Sequence, residues 1–285
     1  MQTSIRARAF LALQRLLPQH GLSRLTGRIA GSRAGWIRKP LIAAFSRFYG
    51  VDLSDALADD PDEFATFNEF FTRALKPEAR PLAGGEETAI CPADGVISQA
   101  GSIDAGRLLQ AKGHRYPLEA LLGGGGDFLP AHRFEGGTFA TVYLAPRDYH
   151  RVHLPLAASL VASRAIPGAL YSVNATTEAH IDGLFARNER LVCHFETATG
   201  PMAVVLVGAM IVAGIGTVWE GPASPYTRME TTDHGRIAFP RGAEIGRFFL
   251  GSTVIVCLPP GRAELAPGMV PGTPVRMGQA LFRTT

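Results

Sequence analysis

The sequence predicts an α+β fold, with a β-rich core and short amphipathic helices at its N-terminal end. Three observations lead there. Thirty-two glycines and 20 prolines in 285 residues cut the chain into short pieces, the habit of strands and turns rather than long helices. Between them lie runs rich in Val and Ile, of the kind that fill buried strands. The first 50 residues hold nine Arg or Lys and no Asp or Glu, with apolar residues at helical spacing. A hydrophobic content of 46% with 19% charged residues belongs to a globular chain able to bury one large core or two modest ones.

In the N-terminal segment Ile5, Ala9, Ala12, Leu13 and Leu16 share one helical face, and Ile37, Leu41, Phe45 and Phe48 share another. Pro18, Gly21, Gly31, Gly35 and Pro40 are expected to break it into short helices. Neither face belongs to a run of the roughly 20 apolar residues a membrane span needs, and Gln14-Arg15 interrupts the first too early for a secretory signal. Basic amphipathic helices of this kind lie in the headgroup layer of anionic membranes. The alternative is a helical hairpin packed on its own domain with a solvated basic face. Nucleic acid is a weaker partner, since no helix-turn-helix, zinc-finger or RNP pattern accompanies the charge.

From Val51 to Phe71 the chain turns acidic, and Thr66-Phe-Asn-Glu-Phe-Phe71 reads as one more short helix at the joint to the main domain. Strands are expected at 95–100, 138–144, 156–163, 191–196, 202–207, 209–218 and 253–258, with the tetraglycine 123–126 and the polar stretch 220–235 as exposed loops. Residues 197–219 carry no charged side chain, but their Val/Ile bias and their glycines favour two buried strands over a membrane helix. Cys91, Cys193 and Cys257 are far apart and form no C-x-x-C pair, so neither a disulfide framework nor a zinc ribbon is expected, which fits a reducing compartment.

The chain is organised around Leu250-Gly251-Ser252-Thr253, where a charged segment meets the apolar run Val254-Ile-Val-Cys-Leu258. Ser252 sits where a loop enters a strand. The glycine before it lets the peptide take conformations closed to other residues, so the serine oxygen can approach the preceding carbonyl. By themselves these residues also describe an ordinary Gly-Ser turn. Two further segments bear on the choice: Cys91-Pro-Ala-Asp94-Gly, with an aspartate in a turn, and Arg147-Asp-Tyr-His150-Arg-Val-His153, with two histidines three apart. A serine, a histidine and an aspartate can form a relay in which the carboxylate orients the imidazole and the imidazole removes the hydroxyl proton. Their plainer readings are a turn aspartate capping amides and two satisfied histidines. The histidine spacing could serve a metal on a helix, but Val152 and Leu154-Pro155 argue against a helix and no third ligand is evident. Val254 stands where the second glycine of a G-x-S-x-G hydrolase elbow would be.

Together the Gly251-Ser252-Thr253 site, the Asp94 turn and Tyr149-His-Arg-Val-His153 closely resemble bacterial phosphatidylserine decarboxylases. Phe70-Phe-Thr-Arg-Ala-Leu-Lys-Pro-Glu-Ala-Arg-Pro81, Pro167-Gly-Ala-Leu-Tyr-Ser-Val-Asn174, Leu184-Phe-Ala-Arg-Asn-Glu-Arg190 and Gly208-Ala-Met-Ile-Val also look like motifs of that family. The resemblance runs from about Leu22 to the C-terminus. It departs from the pattern at Arg241, where the family often has Lys, and in the tetraglycine.

The resemblance implies a pyruvoyl enzyme that makes its own prosthetic group. Ser252 Oγ would attack the Gly251 carbonyl to give an ester, and loss of the Ser252 α-proton would expel the Gly251 carboxylate. The dehydroalanine left behind would hydrolyse to pyruvoyl and ammonia, leaving a β chain of residues 1–251 and an α chain of residues 252–285. By the same resemblance His153 is the base, Asp94 its orienting carboxylate and Thr253 a support for the strained bond. The pyruvoyl ketone would form a Schiff base with the amine of phosphatidylserine and draw off the electrons released with carbon dioxide, yielding phosphatidylethanolamine. His150 matches the histidine associated with that second reaction. No metal is expected.

Residues 1–65 are therefore expected to be a helical region that docks on an anionic membrane surface, and residues 66–285 the catalytic core. The expected place is the cytoplasmic face of a bacterial cell membrane, peripherally, and homo-oligomers are compatible with it. Two rivals differ in class: a lipid serine hydrolase using Ser252, His153 and Asp94, and a non-enzymatic membrane adaptor. Both predict an intact chain.

Overall fold

The computed structural model describes residues 10–14, 17–124, 128–210, 214–223 and 225–284, with only the backbone of Lys112, Pro222, Ala223 and Ser252. The expected α+β class is borne out. An eight-stranded antiparallel sheet runs, in spatial order, through Glu230–Phe239, Ala158–Ile166, Arg190–Thr197, Gly200–Val207, Ser252–Leu258, Thr138–Leu144, Gly95–Ser102 and Pro274–Val275. A second, four-stranded sheet runs Gly221–Ala223, Gly214–Thr217, Glu244–Phe249, Arg151–His153.

Ser252–Leu258 lies inside the large sheet, laddered to Thr138–Leu144 on one edge and to Gly200–Val207 on the other. Successive side chains of a strand point to opposite faces. Val254, Val256 and Leu258 accordingly enter one core with Leu144 and Leu206, while Ile255 and Cys257 enter another with Phe139 and Val205. Burial on both faces explains the unbroken apolar run in the sequence.

The N-terminal helices Gln19–Ala30 and Gly35–Tyr49 are longer than expected: the first runs through Gly21 and the second through Pro40. Gly21 falls in the first turn, where little ladder is at stake, and Pro40 removes a single backbone donor near the start of a 15-residue helix. The helix Phe67–Phe71 forms as expected, with Thr66 Oγ1 accepting from Glu69 N. Its Phe67, Phe70 and Phe71 pack with Ala30, Ile42 and Phe64 into a third core that joins the helices.

Two other expectations are corrected. Residues 220–235 are not simply a loop, because Gly221–Ala223 and Glu230–Phe239 are strands; the latter is an edge strand with mostly exposed side chains, so its sequence lacks the apolar alternation of a half-buried one. The single strand expected at 209–218 is confined, among the described residues, to Gly214–Thr217. Residues 125–126 of the tetraglycine lie outside the described residues; Gly123 closes the helix Leu118–Leu122 in the left-handed region.

Candidate active site

The two sheets are joined by two residues. Strand Glu244–Phe249 of the small sheet passes through Leu250 and Gly251 into Ser252–Leu258 of the large one. Both linking residues are left-handed, with φ of 79° and 69°. Glycine takes this conformation freely, whereas for leucine it is strained. Leu250 is held by packing against the aromatic core of the helices. The peptide predicted from the sequence to be special is thus a tight, strained corner.

Strand register places the two histidines. His153 pairs with Glu244 at the start of strand Glu244–Phe249, whereas the His150 carbonyl accepts from Phe248 N (3.0 Å), two residues before Leu250. At about 3.3 Å per residue, the three-residue step from His150 puts His153 roughly 10 Å farther from the corner along the strand. His150 is fully buried. Its ring packs against Phe71 with centroids 4.0 Å apart, its Nδ1–H donates to the Asp148 carbonyl (2.8 Å), and Nε2 is buried without a partner. Burial drives its pKa down to about 3, against the opposing pull of the Asp148 carbonyl, so the ring is neutral at physiological pH. His153 has both nitrogens engaged: Nδ1–H donates to the Gly242 carbonyl (2.8 Å) and Nε2 accepts from Tyr149 Oη–H (2.8 Å). Burial also lowers its pKa, opposed by the hydrogen bond to Gly242.

Asp94 sits beside that strand, since His153 N donates to the Pro92 carbonyl (2.8 Å). Its carboxylate, however, makes its hydrogen bonds elsewhere. Arg80 grips it with Nε at 3.0 and 3.1 Å and Nη2 at 2.6 Å, and Met277 N donates to Oδ1 at 2.8 Å. Arg80 also reaches Asp55 (2.8 Å), tying the acidic joint to the turn. The structure therefore brings Asp94 and His153 into one neighbourhood without a hydrogen bond between them, and puts His150 nearest the corner. Sequence reasoning missed Arg80 and Tyr149 as their partners, although both stand inside motifs it had singled out. Among the described residues, no group of three or more His, Cys, Asp or Glu side chains is disposed to hold a metal.

A cavity of about 570 Å³ opens beside the corner. Leu250, Gly251, Tyr143 and Ala209 line its core side, Phe45 and Phe71 its helix side, and the partly exposed Ile29 and Tyr49 also line it. Strand alternation puts Thr253 on the same face as Ile255 and Cys257, toward this side of the sheet, and its Oγ1 is buried without a partner. The site is a strained corner lining an apolar chamber, with a neutral imidazole packed behind Phe71 of its wall and an orphan hydroxyl two residues past the corner's glycine.

The chain is similar to known proteins along nearly its whole length. A family model described as phosphatidylserine decarboxylase matches residues 67–283, and one described as PSD matches residues 9–50. A phosphatidylserine decarboxylase proenzyme of Alcanivorax borkumensis is 53% identical over 279 residues, 96% of this chain and 95% of that protein. The proenzyme of Azotobacter vinelandii is 51% identical over 280 residues, 96% and 97% of the two chains. That of Bordetella pertussis is 53% identical over 278 residues, 95% and 93%. These matches define a decarboxylase, and bear out the resemblance carried by the motifs. The chain belongs to the phosphatidylserine decarboxylase family.

Proposed function

We propose that this chain cleaves itself between Gly251 and Ser252 and then, with a pyruvoyl group at position 252, converts phosphatidylserine to phosphatidylethanolamine at an anionic bilayer surface. The observation that carries the reading is the cavity, which connects the Gly251 corner to apolar side chains on the N-terminal helices. A lipid drawn partly out of a membrane needs such a dry passage.

The residues present fit a pyruvoyl group. The strained corner opens on the cavity, and His150 Nε2 and Thr253 Oγ1 are buried polar atoms with unused hydrogen-bonding capacity nearby. Formed there, the group would supply an electron sink for decarboxylation. The protein's own tasks follow. Left-handed Leu250 and Gly251 present the scissile carbonyl at a bend where relief of strain favours its attack by the Ser252 hydroxyl. His153 is the base in that step, with the Asp94 turn beside it and Tyr149 and Gly242 fixing its ring. His150, kept neutral by burial with its proton on Nδ1, positions the substrate in the second reaction by accepting a hydrogen bond at Nε2.

One observation favours a second reading in which the histidines exchange roles: His150 is nearer the corner and has the free nitrogen. On either assignment residues 1–65 dock the catalytic core, 66–285, on the cytoplasmic face of the membrane. The chain has no charged residue in 197–219, yet among the described residues no helix is long and apolar enough to cross a membrane.

The test is intact-mass spectrometry of the purified chain together with carbon dioxide release from phosphatidylserine. Two fragments, the smaller beginning with a blocked pyruvoyl residue, are expected. One full-length mass in a preparation that releases carbon dioxide would refute the proposal, and one full-length mass with no carbon dioxide release would leave the hydrolase or adaptor readings.

A further inference from the structure

Side-chain hydrogen bonds, and not apolar packing alone, join the N-terminal helical region to the core. Gln14, only 2% exposed, reaches across 158 residues of sequence to Ser172. Its Nε2 donates to Ser172 Oγ and its Oε1 accepts from Ser172 N, both at 2.9 Å. Gln19 repeats the device one step away: Oε1 accepts from Leu170 N (2.7 Å) while Nε2 donates to the Gln14 carbonyl (2.8 Å).

The amides of this segment alternate. Ala169 N and Tyr171 N point to the core, to the Arg187 carbonyl (2.9 Å) and Asn188 Oδ1 (3.1 Å). Leu170 N and Ser172 N point the other way and are satisfied by the two glutamines. An extended segment normally finds a neighbouring strand for that second edge. Here two side chains of the helical region take the strand's place. The same segment continues as Ser172, Val173 and Asn174 into the wall of the cavity that ends at Gly251.

We propose that Gln14 and Gln19 are positioning residues for the reaction: by holding residues 170–172 they make the helical region set one wall of the substrate cavity. Docking and substrate seating are then properties of one element. This rests on the functional reading above, because it takes the cavity to be where phosphatidylserine is seated. The core-facing bonds of the segment are untouched by the glutamines, so their loss loosens the wall without unfolding the sheet.

The experiment uses the full chain with Gln14→Met and Gln19→Met, which keep side-chain length and remove the hydrogen bonds, and Gln14→Glu, which keeps an acceptor for Ser172 N. Hydrogen exchange at Leu170 and Ser172 is measured alongside fragment formation, sedimentation with phosphatidylserine vesicles, and KM and kcat on detergent-dispersed phosphatidylserine. Each Met variant should exchange faster at its own amide. Both should cleave and sediment like the parent and show KM raised about five- to tenfold, the scale of one lost buried partner, with little change in kcat. Gln14→Glu should return KM toward the parent.

Unchanged exchange and KM would overturn the proposal, as would a defect seen with vesicles and not in detergent, which would make the glutamines docking residues only. If Gln14→Met fails to fold, Gln19→Met decides alone by the same criteria. The functional reading fails separately, by absence of carbon dioxide release from the parent. Exchange that is also unchanged would overturn the positioning role at the same time, and faster exchange would leave the wall contact standing while removing its catalytic meaning.

Discussion

The cavity has two walls built from similar apolar residues and put to opposite uses. On the sheet side every apolar residue of strand Ser252–Leu258 is at most 1% exposed, both strand edges are laddered, and alternation fills two cores at once. On the helix side Phe45, Phe67 and Phe71 face inward, but Trp36 is 82% and Phe48 80% exposed, and Leu25 is exposed as well. Among the described residues Arg24, Arg28, Arg33 and Arg47 are exposed there and enter no ion pair. A sheet strand has two faces and the fold uses both. A surface helix needs only one stripe for packing, so large apolar groups on its other side, mixed with free cations, fit an external partner such as a membrane. The lesson is that burial closes one wall and leaves the other available.

The comparison is broken most completely at its sheet end. Ser252→Ala should give one uncut chain with no carbon dioxide release and unchanged vesicle binding, read by electrophoresis, mass and sedimentation. An active Ser252→Ala chain would remove the corner from the mechanism.

The next effect separates the histidines. His153→Ala should block cleavage, whereas His150→Ala should still cleave at least in part yet decarboxylate about a hundredfold more slowly, the scale of a lost positioning contact at the reacting centre. The reverse pattern would establish the exchanged assignment. Equal behaviour in both assays would sink both assignments.

A smaller effect belongs to the helix wall. Arg24→Glu with Arg28→Glu should weaken sedimentation with anionic vesicles and lower vesicle activity about thirtyfold, each cation at such a surface contributing ~1 kcal/mol. Trp36→Ser and Phe48→Ser should weaken binding in a way that added salt does not mimic. Cleavage and activity in detergent should change little. Arg38 and Lys39 are poorer choices: the first donates to the Phe64 carbonyl and the second pairs with Asp62 at 2.7 Å, so both already hold the fold. Arg6 and Arg8 lie outside the described residues.

The smallest effect is on acid stability. His150 is held neutral in the fold with its pKa lowered to about 3 from 6.5. As pH falls below 6.5 the unfolded chain binds the proton first, so this group's contribution to stability is full above pH 6.5 and is lost progressively toward pH 3. In the uncut Ser252→Ala background, His150→Asn should therefore reduce the drop in Tm between pH 7 and pH 4. An unchanged drop would mean that the ring is already charged, or solvated, in the folded chain.

What could be read from the sequence follows from which physical signal each part carries. The strand Ser252–Leu258 was legible because two-sided burial leaves a continuous apolar run. Glu230–Phe239 was not, because an edge strand with outward side chains looks like a loop, and Gly235 and Arg236 in the left-handed region shift its register between Asp233 and Ile237. The motifs located the Asp94 turn, His150, His153 and the Gly251 corner. They did not say that Arg80 would occupy the Asp94 carboxylate, or that Gln14 would meet Ser172, because such pairings depend on how distant segments cross. Leu250 gave no local hint of its left-handed backbone, and it packs against helices some 200 positions earlier in the chain.

The inner place of strand Ser252–Leu258 also decides what a cut before it would produce. The new chain end would lie not at a surface tail but between two hydrogen-bonded neighbours, Thr138–Leu144 and Gly200–Val207. A single protein would become an obligate pair of unequal subunits without moving, its subunit interface being the middle of a sheet that was already folded. Once unfolded and separated, the pieces would have to find each other as two molecules, and the smaller would bring back a strand with no turn linking it to Phe249. Folding would belong to the uncut chain and activity to the cut one, so the order of the two events is written into the position of one strand.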